Sequence, residues 1–286
     1  MIERQRARLS QAGVSFGHGT DNAFDEAVWL VLWRLGLPLD DLDSVAERVL
    51  TTEQCAAIDA LVDERIATRR PAAYLTGEAW LQGVPFTIDE RAIVPRSLIA
   101  ELMVDLEGTN TLDAWLLPGT RRVLDLCTGN GSLAVLAALA WPQVSVDAAD
   151  LSADALAVAR INVDRHELAD RITLLQGDGL DAVAGRRYDL IVCNPPYVNT
   201  ASMTALPAEY RSEPALALAG GDDGMDFIRP LLAQAAAHLD EGGVLVLEIG
   251  HEAAHFEAAF PQLEFAWLAT SGGDEEVLVA TREALE

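Results

Sequence analysis

The sequence predicts an α/β protein in which a mostly parallel sheet, closed by an antiparallel edge, follows a small helical unit. Three observations predict it. From Arg121 onward short apolar runs alternate with helical segments; the last two runs have no clear helix between them; and the first seventy residues carry apolar side chains at helical rather than alternating spacing.

The first helix places Phe24, Val28, Leu32 and Leu35 on one face, with Asp21 offering an N-cap and Pro38 closing the run. A second runs from Thr52 to about Arg69, with Ile58, Leu61, Val62 and Ile66 on one face, and Pro71 stops it. Between Tyr74 and Pro95 the pattern changes. Gly77 and Gly83 bracket Ala79 to Leu81, then VPFTI and RAIVP read as short strands, which makes this stretch a hairpin linker. The chain is therefore expected to divide into a helical unit (1–73), a linker (74–95) and an α/β domain (96–286). In the last of these the apolar runs are RVLDLC, VSVDAAD, RITLLQGD, YDLIVCN, GVLVLEIG, LEFAWLA and EEVLVATR. Strands joined by helices form parallel pairs, because a parallel crossover needs a dozen or more residues to return to the starting edge.

Half of the 286 residues are apolar, enough for a sizeable core. No uncharged apolar run reaches the ~18 residues that span a bilayer, and Arg4, Arg6 and Arg8 are not followed by the apolar run of a signal peptide. A cytoplasmic protein that makes no use of a membrane is expected. The formal charge is −25, from 45 acidic and 20 basic residues, and every basic residue is arginine. The absence of lysine excludes Schiff-base chemistry. A surface of this sign repels nucleic acid phosphates, so no direct nucleic acid binding is expected; it attracts basic proteins, although solubility accounts for it equally well. Cys55, Cys127 and Cys193 are too widely spaced for a CxxC metal pair, and the latter two end apolar runs as small hydrophobes do. Among the histidines only His251 and His255 stand at i and i+4, with no third ligand in sequence range, so no metal is expected.

The chemistry concentrates at the ends of the strands. RVLDLC runs into Thr128, Gly129, Asn130 and Gly131 and then a helix from Ser132 to Ala140, a turn that lets a ligand approach the backbone and a helix N-terminus, though such a turn is also a common tight connection. The next strand ends in Asp150, 21 positions after Gly129. A carboxylate there suits the two hydroxyls of a ribose; the alternative is a helix cap beside Ser152. The third strand ends in Asp178, suited to an adenine amino group or simply to a turn. No GxxxxGK[ST] is present, and G-N-G lacks the third glycine that accompanies pyrophosphate. A nucleoside without phosphates fits best, and S-adenosylmethionine is the common one.

The fourth strand ends in Asn194, Pro195, Pro196 and Tyr197. Two prolines exclude helix, so the Asn194 side chain and the Pro195 carbonyl can face the crevice above the sheet. An amide or aryl amino nitrogen has a delocalised lone pair and attacks a methyl sulfonium poorly. Two acceptors on its two hydrogens would orient it and favour the positive charge that develops as the methyl arrives, and Tyr197 would lie against the flat acceptor group.

With these residues the chain resembles the HemK/PrmC and PrmB family of protein glutamine N5-methyltransferases over nearly its whole length. PAAYLTGEAWLQGVPFTIDERAIVPR, residues 71–96, is similar to the family's hairpin linker, and the helical start is similar to its substrate-recognition domain. The resemblance implies a class I methyltransferase Rossmann-like sheet and S-adenosylmethionine as methyl donor. It implies a cofactor site at Cys127, Thr128, Gly129, Asn130, Gly131, Asp150, Asp178, Gly179 and Asn194, and a catalytic glutamine site at Asn194, Pro195, Pro196 and Tyr197. Pro95-Arg96-Ser97, DLCTGNG and LPAEYRSEPALALAGGDDGMD (206–226) resemble the PrmB branch, which modifies the third large-subunit ribosomal protein, more than the release-factor branch. Leu98 and Asn130 depart from the usual proline and serine, and neither departure removes a catalytic group. A basic ribosomal protein is thus the expected substrate, with release factors as the alternative. A nucleic acid amino-methyltransferase sharing NPPY would need a basic groove, against the charge; a non-catalytic binding module would not need the motif residues, all of which are intact.

Overall fold

The computed structural model describes residues 1–104 and 111–286. The helical start comprises α1 (Ile2–Gln11), α2 (Ala23–Leu35), α3 (Leu42–Val45), α4 (Thr52–Thr68) and α5 (Ala72–Thr76). Asn22, not Asp21, caps α2: its Oδ1 accepts from the backbone N–H groups of Phe24 and Asp25, both at 3.0 Å. Helix α4 begins in a capping box, Thr51 and Gln54 each accepting from the other's backbone N–H. Its inner face carries Ile58, Leu61 and Val62 as expected, but Arg65 is buried there and Ile66 only partly. Burial of an arginine requires partners, and Glu26 on α2 supplies one, 2.9 Å from Arg65 Nε.

The linker hairpin pairs β1 (Glu78–Leu81) with β2 (Val84–Thr87). The RAIVP stretch forms no strand. Its polar groups are satisfied instead by tertiary partners, with Tyr74 Oη donating to the Ala92 carbonyl at 2.7 Å and the Val94 N–H donating to Glu213 at 3.0 Å. One apolar cluster joins Leu9, Leu30 and Val62 of the helices to Ile88 and Val94 of the linker and to Ala155 and Val158. Those last two residues belong to the α/β part, so helical start and linker share a core with it.

Helix α6 (Ile99–Met103) leads into β3 (Arg122–Leu126), α7 (Ser132–Ala140), β4 (Ser145–Asp150), α8 (Ala153–Arg165) and β5 (Ile172–Gln176). A short 3₁₀ turn, Gly179–Val183, stands where a crossover helix is expected, before β6 (Tyr188–Cys193). Then follow α9 (Thr200–Ala205), α10 (Ile228–Ala235), β7 (Leu239–Glu248), α11 (Ala253–Ala259), β8 (Ala266–Leu268) and β9 (Val277–Thr281). The seven strands lie in the order β5-β4-β3-β6-β7-β9-β8; all are parallel through β7, and β9 runs antiparallel between β7 and β8. Alternate residues feed two cores. Val123, Leu190, Val192 and Val244 pack toward α7, whereas Leu124, Ile191, Cys193 and Leu245 pack toward α10 and α11. Strands after β3 build outward on one side and β6 returns to its other side, so the chain reverses between β3 and β6. The crevice above their carboxyl ends is where sheets of this kind bind ligands.

Candidate active site

A cavity of about 440 Å³ opens above that reversal point. At one end it is formed by the β3–α7 turn. Asp125, on β3, is fully buried beneath the turn, and its Oδ2 accepts from Thr128 Oγ1 at 2.5 Å and from the Ala134 N–H at 2.9 Å. Burial pushes its carboxyl up to about 7, against these two hydrogen bonds. Cys127 holds φ +62°, an unusual conformation for a side chain larger than glycine, and turns the chain up from the strand. Cys127, Thr128, Gly129 and Asn130 line the cavity. Gly131 does not. It starts α7 beneath the surface, where a Cβ would lie 3.1 Å from the Ala159 Cβ, so its function is to let α7 and α8 approach.

Asp150 ends β4 facing the same turn. Its Oδ2 accepts from the Gly129 N–H and its Oδ1 from the Ser152 N–H, both at 2.8 Å. Ser152, not Asp150, caps α8, since its Oγ accepts from the Ala155 N–H. Burial raises the Asp150 carboxyl above its ordinary value, opposed by the N–H groups of Ser152, Gly129 and Leu151, and the carboxylate's four lone-pair sites exceed these three donors. Asp178 and Gly179 line the wall beyond it, with Phe227 beside Gly179, the nearest ring atom 3.8 Å from where a Cβ would stand.

Asn194, Pro195, Pro196 and Tyr197 form the adjoining wall: they follow β6, whose Cys193 pairs with Leu126 at the end of β3. Segment 218–224 is strapped behind them: the Val198 N–H donates to the Leu218 carbonyl at 2.8 Å, and the Gly220 N–H to the Val198 carbonyl at 2.9 Å. Glycine is required in this strap, because a Cβ on Gly220 would sit 2.7 Å from Tyr197 Cα. The Tyr197 hydroxyl donates to Glu248 at 3.2 Å; burial and the nearby Glu248 charge hold the phenol well above its ordinary range, so it stays neutral. Asn199 donates to Glu252 at 2.7 Å and caps α9 with its own oxygen.

Both arginines lining the cavity are already engaged. Arg91 pairs with Asp89, and Arg96 grips Glu213 through two bonds of 2.7 and 2.8 Å while lying over the Tyr210 ring. Burial alone would raise the Glu213 carboxyl, but Arg96, aided by His18, holds it at about 2. His18 Nε2 lies 3.5 Å from Glu213, in electrostatic contact without a hydrogen bond. Nearby, Glu209 is fully buried against the helical start, with Ser15 N–H at 2.9 Å, Arg69 Nε at 2.8 Å and Arg65 at 3.4 Å. The segment after NPPY is therefore bolted to the first seventy residues. His251 and His255 take separate partners, Glu276 and Glu252.

The residues that sequence reasoning passed over are Asp125, Phe227, Glu213 and Glu248. Asp125 and Glu248 carried a signal: each is an acid set in an otherwise apolar strand run, which a folded protein keeps only with a partner. Nothing in the sequence marks Phe227 or Glu213.

This sheet and crevice are those of a class I, S-adenosylmethionine-dependent methyltransferase. Among solved structures, a methyltransferase from Pyrococcus furiosus aligns with a TM-score of 0.50 and 18% identity over 81% of this chain and 99% of its own. The hMettl16 catalytic domain in complex with MAT2A 3′UTR hairpin 1 aligns with a TM-score of 0.51 and 15% identity over 81% and 80%. These likenesses establish the fold alone. The methyltransferase small domain family matches residues 102–209 and the PrmC N-terminal domain family residues 1–77. The ribosomal protein uL3 glutamine methyltransferase of Bordetella pertussis is 56% identical over 100% of this chain and 95% of its own length. That of Burkholderia pseudomallei is 51% identical over 98% and 92%, and that of Neisseria gonorrhoeae 47% over 98% and 92%. The chain belongs to the ribosomal protein uL3 glutamine methyltransferase family.

Proposed function

We propose that the chain methylates the side-chain amide nitrogen (N5) of a glutamine in ribosomal protein uL3, in the cytoplasm, with S-adenosylmethionine as donor. The observation that carries this reading is the placement of Asn194 to Tyr197 beside the Cys127–Asn130 turn, in the same cavity as Asp150. The cofactor end fits a nucleoside sulfonium on its own terms. Asn130 lines it with an amide Nδ2 that is buried and has no hydrogen-bond partner among the described residues, Asp150 retains acceptor capacity, and both lining arginines among the described residues are paired with carboxylates rather than free to hold phosphate. Cys127 to Asn130, Asp150, Asp178 and Gly179 would hold the cofactor, with Phe227 along its base. When bound, S-adenosylmethionine supplies a methyl group activated by a positively charged sulfur.

The chain's own residues do the rest. The Asn194 side-chain oxygen and the Pro195 carbonyl accept the two hydrogens of the glutamine amide and turn its nitrogen toward the cofactor end. These acceptors favour the charge that appears on nitrogen, and Pro196 and Tyr197 keep the amide flat and dry. The proton released after transfer leaves an acidic N-methylated amide cation and needs no strong base. Residues 1–73 grip the substrate away from the glutamine, and their bolts to Glu209 and Glu213 carry that grip to the NPPY flank. The engaged state of Arg91 and Arg96 and the charge of −25 favour a basic protein over nucleic acid. Intact-mass measurement after incubation with uL3, a release factor and duplex DNA tests the reading. A gain of one methyl on uL3 is expected; methylation confined to the release factor or to DNA overturns it.

A further inference from the structure

Glu248 ends β7 beside the strand that carries Asn194, with Leu247 paired to Cys193 in the parallel register. It is 3% exposed and forms no ion pair among the described residues, yet each of its oxygens is used. Oε2 accepts from Ser97 Oγ at 2.5 Å and from the Leu98 N–H at 2.9 Å, and Oε1 accepts from the Tyr197 hydroxyl at 3.2 Å. Ser97, Leu98 and Tyr197 all line the cavity, so one carboxylate ties the exit of the linker to the tyrosine of the acceptor site. Behind the tyrosine ring stands Gly250, where a Cβ would fall 2.5 Å from Cε2. The ring is thus packed closely against the Gly250 backbone while its hydroxyl is held by Glu248.

We propose that Glu248 is a positioning residue for methyl transfer: through the Tyr197 hydroxyl it fixes the plane against which the acceptor amide lies, and through Ser97 and Leu98 it locks that plane to the linker wall. This rests on the reading of Asn194 to Tyr197 as the acceptor site. A free carboxylate at this depth is costly unless donors surround it, and three donors converge here from two segments far apart in the chain, Ser97–Leu98 and Tyr197. The geometry of an amide nitrogen attacking a sulfonium methyl tolerates little misalignment, so loosening the ring is expected to lower turnover rather than cofactor affinity.

The test compares Glu248→Gln, Tyr197→Phe and the double variant, with Asn194→Ala as a separate arm. Measurements are kcat at saturating cofactor on whole uL3 and the Kd of S-adenosylmethionine by calorimetry. Each single variant is expected to lose about tenfold in kcat, the scale of one hydrogen bond, with the cofactor Kd within about twofold, and the double variant to lose no more than the worse single. Tyr197→Phe removes only the hydroxyl and keeps the ring, so it reads the same bond even if Glu248→Gln folds poorly. Wild-type turnover in Tyr197→Phe, additive losses in the double variant, or a Kd change as large as the kcat loss would each overturn the positioning role. Loss in Asn194→Ala with normal turnover in both single variants overturns this proposal alone; normal turnover in Asn194→Ala overturns the acceptor-site reading beneath it.

Discussion

The two ends of the cavity are built differently. The cofactor end comes from three consecutive strand ends, Cys127–Asn130, Asp150 and Gly177–Gly179, each a few residues long and each continuous with its strand. The acceptor end is assembled from distant stretches: Arg96–Leu98 from the linker, Asn194–Tyr197, the strap at Leu218–Gly224 and Glu248–Glu252, with Ser97 and Glu248 separated by 151 positions. A local construction depends on strand order and turn geometry. A remote one depends on the whole chain having folded, helical start included, because Glu209 takes its arginines from there and Glu213 is held by Arg96 of the linker with His18 beside it. Damage to the first end should therefore appear in binding and damage to the second in turnover.

The largest separation is expected at Asn194. Replacement by alanine should lower kcat by about 10² to 10³, the usual cost of losing one aimed polar group, while the cofactor Kd changes modestly. Single-turnover assays with calorimetry on the same protein check both halves. Near-normal turnover would erase the distinction between the ends.

Asp150→Ala should do the reverse. Its contacts with a bound nucleoside are present in ground and transition states alike, so the cofactor Kd is expected to rise by about ten- to hundredfold with kcat at saturation little changed. An unchanged Kd would reduce Asp150 to a brace for the turn through Gly129 and Ser152.

The two ends should also respond oppositely to pH. Asp125 is raised from 3.8 to about 7, so the stability it contributes is fully present below about pH 3.8 and is lost as pH rises through about 7. Glu213 is lowered from 4.5 to about 2, so its contribution is present above about pH 4.5 and is lost as pH falls through about 2. Each involves one proton, a slope of at most about 1.4 kcal/mol per pH unit. Denaturation curves of Asp125→Asn should differ from the parent in slope between pH 4 and 7 (about the span of the shift), and those of Glu213→Gln only below about pH 4.5. The same slope change in both variants would show that the two carboxyls do not titrate apart.

The same contrast explains what could be read from the sequence. The alternation of strands and helices, the β3 turn and the placement of NPPY after β6 were legible because each is a local pattern repeated along the chain, and relatives and fold agree with them. The separation of Asp21 from Asn22 as the cap was not, since adjacent residues of similar chemistry compete and the entry angle of the chain decides. RAIVP has the composition of a strand, but a strand exists only with a partner, and here Glu213 and Tyr74 take its polar groups. The close approach of Ala159 to Gly131 could not be read from the sequence, because it depends on how α7 and α8 pack. Glu213 and Glu248 depend on residues over a hundred positions away, and Phe227 on the turn at Gly179 in an earlier crossover, which no local window reaches.

The smallest expected effect concerns encounter with the substrate, and it bears on the acceptor end alone. A chain of charge −25 meeting a basic ribosomal protein should be drawn to it by opposite charges, and salt weakens that attraction as the Debye length falls from about 30 Å at 0.01 M to about 8 Å near physiological strength. The kcat/KM for uL3 is expected to fall about severalfold over that range while kcat at saturation stays nearly constant, because steering changes the rate of encounter and not the chemistry. Cofactor binding should hardly respond, since both arginines lining the cavity are already paired and steering acts on the encounter with the large basic partner. A short glutamine peptide, lacking the charge and the grip of residues 1–73, should show both a much lower kcat/KM and little salt dependence. Equal salt dependence for peptide and whole protein would place recognition at the cavity mouth and remove the helical start from it; a kcat that falls with salt would mean that ionic contacts such as Arg96 with Glu213 open under screening, and that the acceptor end is less firmly bolted than its geometry indicates.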